Sequence, residues 1–173
     1  MIARLCYRCA MSGLGELTDK VDAFFARVQA RHGADMQCGT GCSECCHVRL
    51  SITGVEADAI RAEVATWPAA RRAALAEVGP ADRCAALDPD GRCRVYAARP
   101  LVCRSHGAPI RMRDGAREEV RACHLNFKTT APDPDCILDQ TTLSALVLAF
   151  DRKAGHDGAR LDLAALLAAL SAT

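Results

Sequence analysis

One short stretch in the first third of the chain concentrates cysteine. Residues 38–47 read Cys-Gly-Thr-Gly-Cys-Ser-Glu-Cys-Cys-His and hold four thiols and an imidazole. Thiolates are soft ligands that suit zinc, cuprous copper and iron–sulfur clusters. Two thiolates about 4 Å apart repel each other by roughly 4 kcal/mol at an effective dielectric constant near 20. We therefore expect these thiols to stay protonated, to pair as disulfides or to bind a metal.

The length and composition of the chain favour one helix-rich domain. With 173 residues, the chain is long enough for a single modest core. Half of the residues are hydrophobic but only 4% are aromatic, and the excess is largely alanine and leucine, which favours helices over a β-sandwich. We expect a mainly α fold with a small, irregular β- and loop-rich metal-binding centre, which is a helix-dominated α+β class.

Charge and hydropathy limit the classes of partner. The chain has 22 basic and 21 acidic residues, so its net charge of +1 favours neither nucleic acid nor an anionic membrane. Arginines interrupt the first eight residues before the apolar core of a signal peptide can form. The longest apolar runs, 143–150 and 161–170, are well short of the ~20 residues of a membrane span. We expect a cytosolic protein with no nucleic-acid or membrane partner, and an unknown protein partner is left open.

The number of cysteines bears on the choice between disulfides and metal. The chain has eleven cysteines, an odd number. In a reducing cytosol such cysteines indicate metal or redox chemistry more often than a disulfide framework. This favours a metal site in the cysteine stretch.

The chain is expected to divide into a terminal segment and one domain. Residues 1–15 are predicted to be a disordered tail or an annotation extension, with either Met1 or Met11 as the true start, and the lone CxxC of Cys6 and Cys9 is left out of the site. The domain is predicted to span 16–173. It has a cysteine-cluster core at about 38–124 and a C-terminal helical pair at about 137–170.

Apolar residues at helical spacing, with caps and breakers, predict five helices. The helices are expected over 16–32, 53–66, 68–78, 137–154 and 161–170. Thr53 and Glu56 form a capping-box pattern at the start of the second helix. The last helix is apolar almost all round, so we expect it to be buried against the preceding helix or a partner. Turn signals at 88–91 and 114–115 predict two small hairpins between the third and fourth helices.

Eight thiols are candidates for the metal centre. Four follow the pattern Cys38-x3-Cys42-x2-Cys45-Cys46, three follow as Cys84-x8-Cys93-x9-Cys103, and Cys123 comes after a longer gap. Zinc and cubane iron–sulfur sites each commonly take four thiolates. Eight thiols could therefore form two four-ligand sites, or one site with additional thiols, and the sequence leaves this open.

Three alternatives to a metal chelate of this kind fit the cysteine stretch less well. The first three cysteines have the spacing of the radical S-adenosylmethionine cluster motif, but Glu44 stands where that motif usually has an aromatic residue, and the chain lacks repeated strand–helix units. A vicinal disulfide between Cys45 and Cys46 would close a strained ring and leave the remaining thiols without a role. Buried apolar cysteines are common, but they do not account for the clustering with glycine spacers.

The combined pattern resembles a known family. The cysteine stretch, followed by RCAALDPDGRCRVYAARPLVCR at 83–104, is similar to the bacterial cysteine-cluster family called CxxCxxCC, which includes YkgJ-like zinc- or iron-chelating domains. The resemblance spans about 38–123. It implies that eight cysteines hold the metal, and the matching residues are Cys38, Cys42, Cys45, Cys46, Cys84, Cys93, Cys103 and Cys123.

The resemblance also implies a cofactor. Members of the family are often labelled iron–sulfur proteins or oxidoreductases without a defined substrate, and flagellin lysine N-methylases carry a similar cysteine set. We expect a cytosolic metalloprotein that binds an iron–sulfur cluster of the 4Fe–4S type, or zinc, and acts as a redox or protein-modifying accessory protein. The alternatives are a structural zinc-binding interaction module and an S-adenosylmethionine-dependent enzyme similar to the lysine N-methylases. The sequence predicts no catalytic residue.

Residues around the cysteines have simpler expected roles. Arg94, Arg99 and Arg104 are expected to offset thiolate charge. His32 is expected to compensate the dipole at the end of its helix, and Cys136 is expected to be structural.

Overall fold

A computed structural model of the chain describes residues 2–39 and 41–172, and for residues 2–5 it describes the backbone alone. Met1, Thr40 and Thr173 lie outside the described residues. The prediction that Met1 is one of two candidate starts therefore concerns a residue that the structure does not describe. The structure is 53% helical, with six helices and a few short strands in the described ranges, which confirms the helix-dominated α+β class. No helix in these ranges is long and apolar enough to cross a membrane.

The helices and strands alternate irregularly along the chain. The helices are α1 (Ile2–His32), α2 (Gly54–Ala65), α3 (Ala69–Ala73), α4 (Leu101–Ser105), α5 (Gln140–Ala154) and α6 (Leu163–Ser171). The strands are β1 (Ser51–Ile52), β2 (Ile110–Asp114), β3 (Arg117–Arg121), β4 (Leu138–Asp139) and β5 (Leu161–Asp162). Strand β1 pairs with β5 in antiparallel orientation, and β2 lies between antiparallel β3 and parallel β4.

Helix α1 begins earlier than the sequence indicated. The apolar spacing predicted a helix from residue 16, whereas α1 starts at Ile2 and ends at His32, directly before Gly33 as predicted. Leu14 is only 5% exposed because it packs with Leu143 and Val147 of α5. The described part of the expected tail is therefore helical, and its last turns pack on α5.

The capping box at the start of α2 is confirmed. The backbone N–H of Thr53 donates to Glu56 Oε2 at 3.0 Å, and the Thr53 hydroxyl donates to the same oxygen at 2.8 Å. Pro68 was predicted as the first residue of the next helix, whereas it is the N-cap and α3 begins at Ala69. Helix α3 is also shorter than the expected 68–78, because a 3₁₀ turn at Ala74–Ala76 replaces its second half.

One of the two predicted hairpins is complete. Strands β2 and β3 pair over five residues each around the turn at 114–115. The other turn signal produces a single bridge between Leu87 and Cys93. Asp88 closes that turn twice, since its N–H donates to Arg92 O at 2.9 Å and its carboxylate accepts from Arg92 N–H at 2.7 Å.

Three clusters of buried side chains form the interior. The first joins α2 and α6 to residues 84–95, the second joins α1, α2, α4 and α5, and the third surrounds the C-terminal half of α1. Helix α6 thus packs mainly on α2 and the 3₁₀ turn after α3, whereas the sequence indicated the preceding helix or a partner. Cys46 and Cys93 pack against the first cluster and Cys38 packs against the third, so these predicted ligands border two of the hydrophobic clusters.

Candidate metal centre

A backbone hydrogen bond joins the two cysteine segments that the sequence singled out. The N–H of Cys84 donates to the carbonyl of Cys46 at 2.7 Å. Cys84 is buried in the first cluster, and Cys46 packs against the same cluster. Helices α2 and α3 therefore form an excursion whose two ends return to the same place, which is the arrangement expected if both segments serve one centre.

Tight turns shape the cysteine stretch. The N–H of Cys42 donates to Gly39 O at 3.1 Å, and Gly41 has a φ of +90°, a conformation that glycine adopts without the steric cost of a Cβ. A 3₁₀ turn follows at Glu44–Cys46, closed by a bond from Cys46 N–H to Ser43 O at 2.8 Å. These turns bend the backbone so that successive thiols stay close in space.

The thiols of Cys45 and Cys46 lie next to each other, with their sulfur atoms 4.0 Å apart. The hydrogen bond from Cys46 lowers the pKa of Cys45 to about 6, although partial burial and the Glu44 carboxylate act in the opposite direction. The same hydrogen bond raises the pKa of Cys46, and burial and the thiolate charges of Cys84 and Cys93 raise it further. A bound cation would take the place of the proton that Cys46 keeps.

Cys93 and Cys103 come close to the same thiols from later in the chain. Burial raises the pKa of Cys103 to about 12, and the thiolate charges of Cys84 and Cys93 add to this effect. Burial also raises the pKa of Cys93, again with a contribution from Cys84. We call these mutually interacting residues the five-cysteine group: Cys45, Cys46, Cys84, Cys93 and Cys103.

The remaining three predicted ligands, Cys38, Cys42 and Cys123, form the three-cysteine group. Burial is the main reason that the pKa of Cys38 is raised, and the thiolate charges of Cys123, Cys42 and Cys45 contribute in the same direction. Cys45 therefore interacts with members of both groups. The structure brings all eight predicted cysteines into one region, in two adjoining sets.

Asn126 organises the three-cysteine group. Its side-chain N–H donates to Cys38 Sγ at 3.2 Å and to Gly107 O at 2.8 Å, while its side-chain oxygen accepts from Gln37 N–H at 2.8 Å. Its backbone N–H donates to Cys123 O at 2.9 Å. Sequence reasoning did not identify Asn126, because the partners of its side chain lie far from it along the chain.

Gly107 leaves space for the sulfur of Cys38. A Cβ at this position would lie 2.4 Å from Cys38 Sγ, and the backbone of Gly107 has a φ of +97°. Glycine is therefore required both by the backbone conformation and by the close approach of the sulfur. The soft thiolate donors and this space for a ligand sulfur fit a thiolate-bound metal.

The cysteine sulfur atoms lie in one region, but they do not form a compact group of three or more. Within the described residues, no three of these cysteines have sulfurs that all lie within 4.8 Å of one another. Tetrahedral zinc with Zn–S bonds of about 2.3 Å would hold its four sulfurs about 3.8 Å apart. The Cys45 and Cys46 sulfurs, 4.0 Å apart, come near this separation, but among the described residues no third cysteine sulfur lies within 4.8 Å of both.

The arginines near the cysteines bind mostly other groups. Arg94 donates to the carbonyls of Ala74 and Glu77, and Arg104 donates to Asp22 Oδ2 at 2.5 Å. The charge of Arg99 lowers the pKa of Cys93, although burial outweighs it. The expectation that all three offset thiolate charge thus holds for Arg99, while Arg94 and Arg104 donate to backbone carbonyls near the site, Arg104 to those of Ala97 and Arg99.

A comparison with protein families supports metal binding. Residues 37–132, more than half of the chain, match the family model CxxCxxCC, described as "Putative zinc- or iron-chelating domain". No curated protein and no solved structure matches the chain. All eight predicted ligands lie inside the matched region, and the narrower YkgJ-like assignment stays a prediction.

Proposed function

Since the chain belongs to the CxxCxxCC family of zinc- or iron-chelating domains, we propose that its cysteine centre binds an iron–sulfur cluster, with 4Fe–4S as the expected type. The proposed ligands come from the eight cysteines already described, and the five-cysteine group is the proposed seat of the cluster. Such a cluster supplies one-electron transfer when it is bound.

The spacing of the thiols is the observation that carries this proposal. In a 4Fe–4S cluster each of the four thiolates binds a different iron atom, so the ligands surround a group of atoms and need not converge on one ion. The sulfurs here lie within range of one another's charge, yet no three described ones fall within 4.8 Å of one another. This arrangement favours a cluster over a single zinc ion.

The exposure of the thiols suggests how the centre would serve a redox role. Cys84 is buried, whereas Cys42 and Cys45 are exposed. The centre therefore extends from the first hydrophobic cluster to the protein surface. An electron donor or acceptor protein could approach the exposed edge, while the buried side limits access of water to the remaining ligands.

Anaerobic purification followed by iron, sulfide and zinc analysis tests the cofactor. We expect a coloured protein that contains iron and labile sulfide, and we expect Cys46→Ser to lose both. Cys9→Ser is the matched control because Cys9 is exposed and belongs to neither cysteine group. A colourless protein with stoichiometric zinc and no labile sulfide would overturn the cluster and support the structural zinc module.

Reversible reduction tests the redox role separately. We expect the purified cluster to accept and release one electron in an anaerobic titration followed by electron paramagnetic resonance. A cluster that stays in one oxidation state over the whole range of the titration would overturn the role in electron transfer, even if iron and sulfide are present.

A further inference from the structure

Three potential ligands of different chemistry meet at the C-terminal end of α1. The ligand atoms of His32, Asp133 and Cys136 all lie within 4.8 Å of one another, and His32 Nε2 is 3.3 Å from Asp133 Oδ2. Cys136 is fully buried and His32 is 8% exposed, whereas Asp133 is exposed. The cluster thus has a buried side formed by nitrogen and sulfur, and a solvent side formed by a carboxylate.

Local structure explains why these residues meet. His32 is the last residue of α1, and Asp133 precedes the 3₁₀ turn Pro134–Cys136. Cys136 N–H donates to Asp133 O at 2.9 Å, and residues three apart in a 3₁₀ turn project from the same side. Arg27 donates to Asp135 O at 3.1 Å, which holds this turn against α1.

The surroundings of His32 orient its ring. Nε2 accepts a long hydrogen bond, 3.4 Å, from Asp133 N–H, which places the ring proton of a neutral imidazole on Nδ1. A metal bound at Nε2 would replace this hydrogen bond, because Nε2 has one lone pair. Nδ1 lies 3.7 Å from Asp35 Oδ2, and Phe127 packs against the ring edge-on at 5.2 Å. Histidine ligands commonly direct one ring nitrogen at the metal while a carboxylate faces the other.

A metal-free ion pair is the competing interpretation. A protonated His32 between Asp35 and Asp133 would satisfy both carboxylates. In that interpretation the Cys136 sulfur packs in the third hydrophobic cluster and interacts with the Arg31 guanidinium. The guanidinium of Arg31 is 2.5 Å from Asp135 Oδ2 and 3.9 Å from Asp133 Oδ2, so its charge pairs mainly with Asp135. A metal is the interpretation that uses all three donor atoms within 4.8 Å of one another.

We propose that His32, Asp133 and Cys136 form a second metal site, which binds one divalent transition-metal ion, with zinc as the expected ion. Imidazole, carboxylate and thiolate are all zinc ligands, and bonds of about 2.0–2.3 Å place their donor atoms roughly 3.3–3.8 Å apart. The observed 3.3 Å between His32 Nε2 and Asp133 Oδ2 meets this requirement. A fourth position faces solvent beside Asp133.

This site is separate from the cysteine centre. All three of its residues lie outside the matched family region of 37–132, and none belongs to the eight predicted ligands. The site joins α1 to the segment that precedes α5, whereas the cysteine centre joins the two ends of the α2–α3 excursion.

Counting metal equivalents tests the second site. The probe is Co²⁺, titrated anaerobically into the purified, dialysed protein, and the readout is the sum of zinc and cobalt per chain together with the thiolate-to-cobalt absorption. We expect His32→Gln, Asp133→Asn and Cys136→Ser each to hold one equivalent less than the unmodified chain. Cys9→Ser is the matched control and is expected to keep the full number.

Asp133→Asn is the variant that is expected to fold normally, because Asp133 is exposed and its replacement leaves the core unchanged. Loss of one equivalent in this variant, with an unchanged circular dichroism spectrum, supports the site even if Cys136→Ser does not fold. An unchanged number of equivalents in folded Asp133→Asn and His32→Gln overturns it. Iron and labile sulfide, measured in the same samples, report separately on the cysteine centre.

Discussion

The side-chain nitrogen of Asn126 lies 3.2 Å from the sulfur of Cys38, although 88 residues separate them. The same side chain bonds Gly107 O and Gln37 N–H, so one buried amide connects three segments of the chain. A donor at this distance stabilises a thiolate, and it holds the sulfur in place before a metal binds.

Replacing Asn126 with alanine tests this connection. The change leaves Gln37 N–H and Gly107 O without their side-chain partner, so we expect the free energy of unfolding to fall by roughly 2–4 kcal/mol. Urea denaturation followed by circular dichroism measures it. Gln29→Ala is the control, because Gln29 contacts the carbonyl of Cys38 from an exposed position, and we expect a change below about 0.5 kcal/mol. Equal effects of the two changes would contradict the role of Asn126.

Gly107 and Gly115 form a matched pair for testing the space around Cys38. Both have positive φ, +97° and +57°, so alanine strains the backbone at each position by about 1–3 kcal/mol, with the larger strain at Gly107, whose φ is further from the left-handed helical region. Only at Gly107 does the new Cβ meet Cys38 Sγ, at 2.4 Å, whereas nothing lies within 4 Å at Gly115. We expect Gly107→Ala to lower the metal bound per chain and Gly115→Ala to leave it unchanged. Metal analysis of both purified variants measures this difference. Equal metal contents in the two variants would count against the close approach of Cys38 Sγ to Gly107.

The buried carboxylate of Glu56 links α2 to the helix that carries Cys103. Glu56 Oε2 accepts from Thr53 N–H at 3.0 Å, and Oε1 accepts from Leu101 N–H at 3.1 Å. We expect Glu56→Ala to lower the free energy of unfolding by roughly 3 kcal/mol, because two buried N–H groups lose a charged acceptor.

Glu63→Ala is the control for Glu56. Glu63 lies on the same helix, and its carboxylate accepts from Trp67 Nε1 at 3.0 Å. We expect a loss of about 1 kcal/mol or less by the same urea denaturation. A loss at Glu63 as large as that at Glu56 would show that the link to α4 contributes little.

Two glycines in α1 test whether the N-terminal part of this helix packs on α5. A Cβ at Gly13 would lie 2.3 Å from the ring of Phe150, whereas at Gly15 nothing lies within 4 Å. We expect Gly15→Ala to stabilise the protein by about 0.5–1 kcal/mol through helix propensity. Gly13→Ala is expected to destabilise it by roughly 1–2 kcal/mol through overpacking. Thermal unfolding measures both, and two stabilising changes would mean that this part of α1 does not pack on α5.

Local signals in the sequence predicted local structure well. The capping box at Thr53 and Glu56, the stop at Gly33 and the turn at 114–115 all depend on residues within a few positions of one another, and all three are confirmed. The extension of α1 to Ile2 was missed, because its support comes from α5, more than a hundred residues away.

In the candidate site, too, local sequence patterns predicted some features, and contacts between distant residues decided the others. Spacing identified the eight cysteines, and the family match covers all of them. Their arrangement into two groups, and the cluster of His32, Asp133 and Cys136, carry no spacing signal because their members come from distant segments.

The sequence by itself determined that this chain is rich in helices and collects thiols for a zinc or iron site, since both properties depend on residue type and short-range spacing. Only the tertiary structure decided that Cys46 and Cys84 are joined, that Asn126 and Gly107 shape the place of Cys38, and that α1 ends beside Cys136. These relationships arise from the packing of three hydrophobic clusters, whose contacts join residues that no local pattern connects.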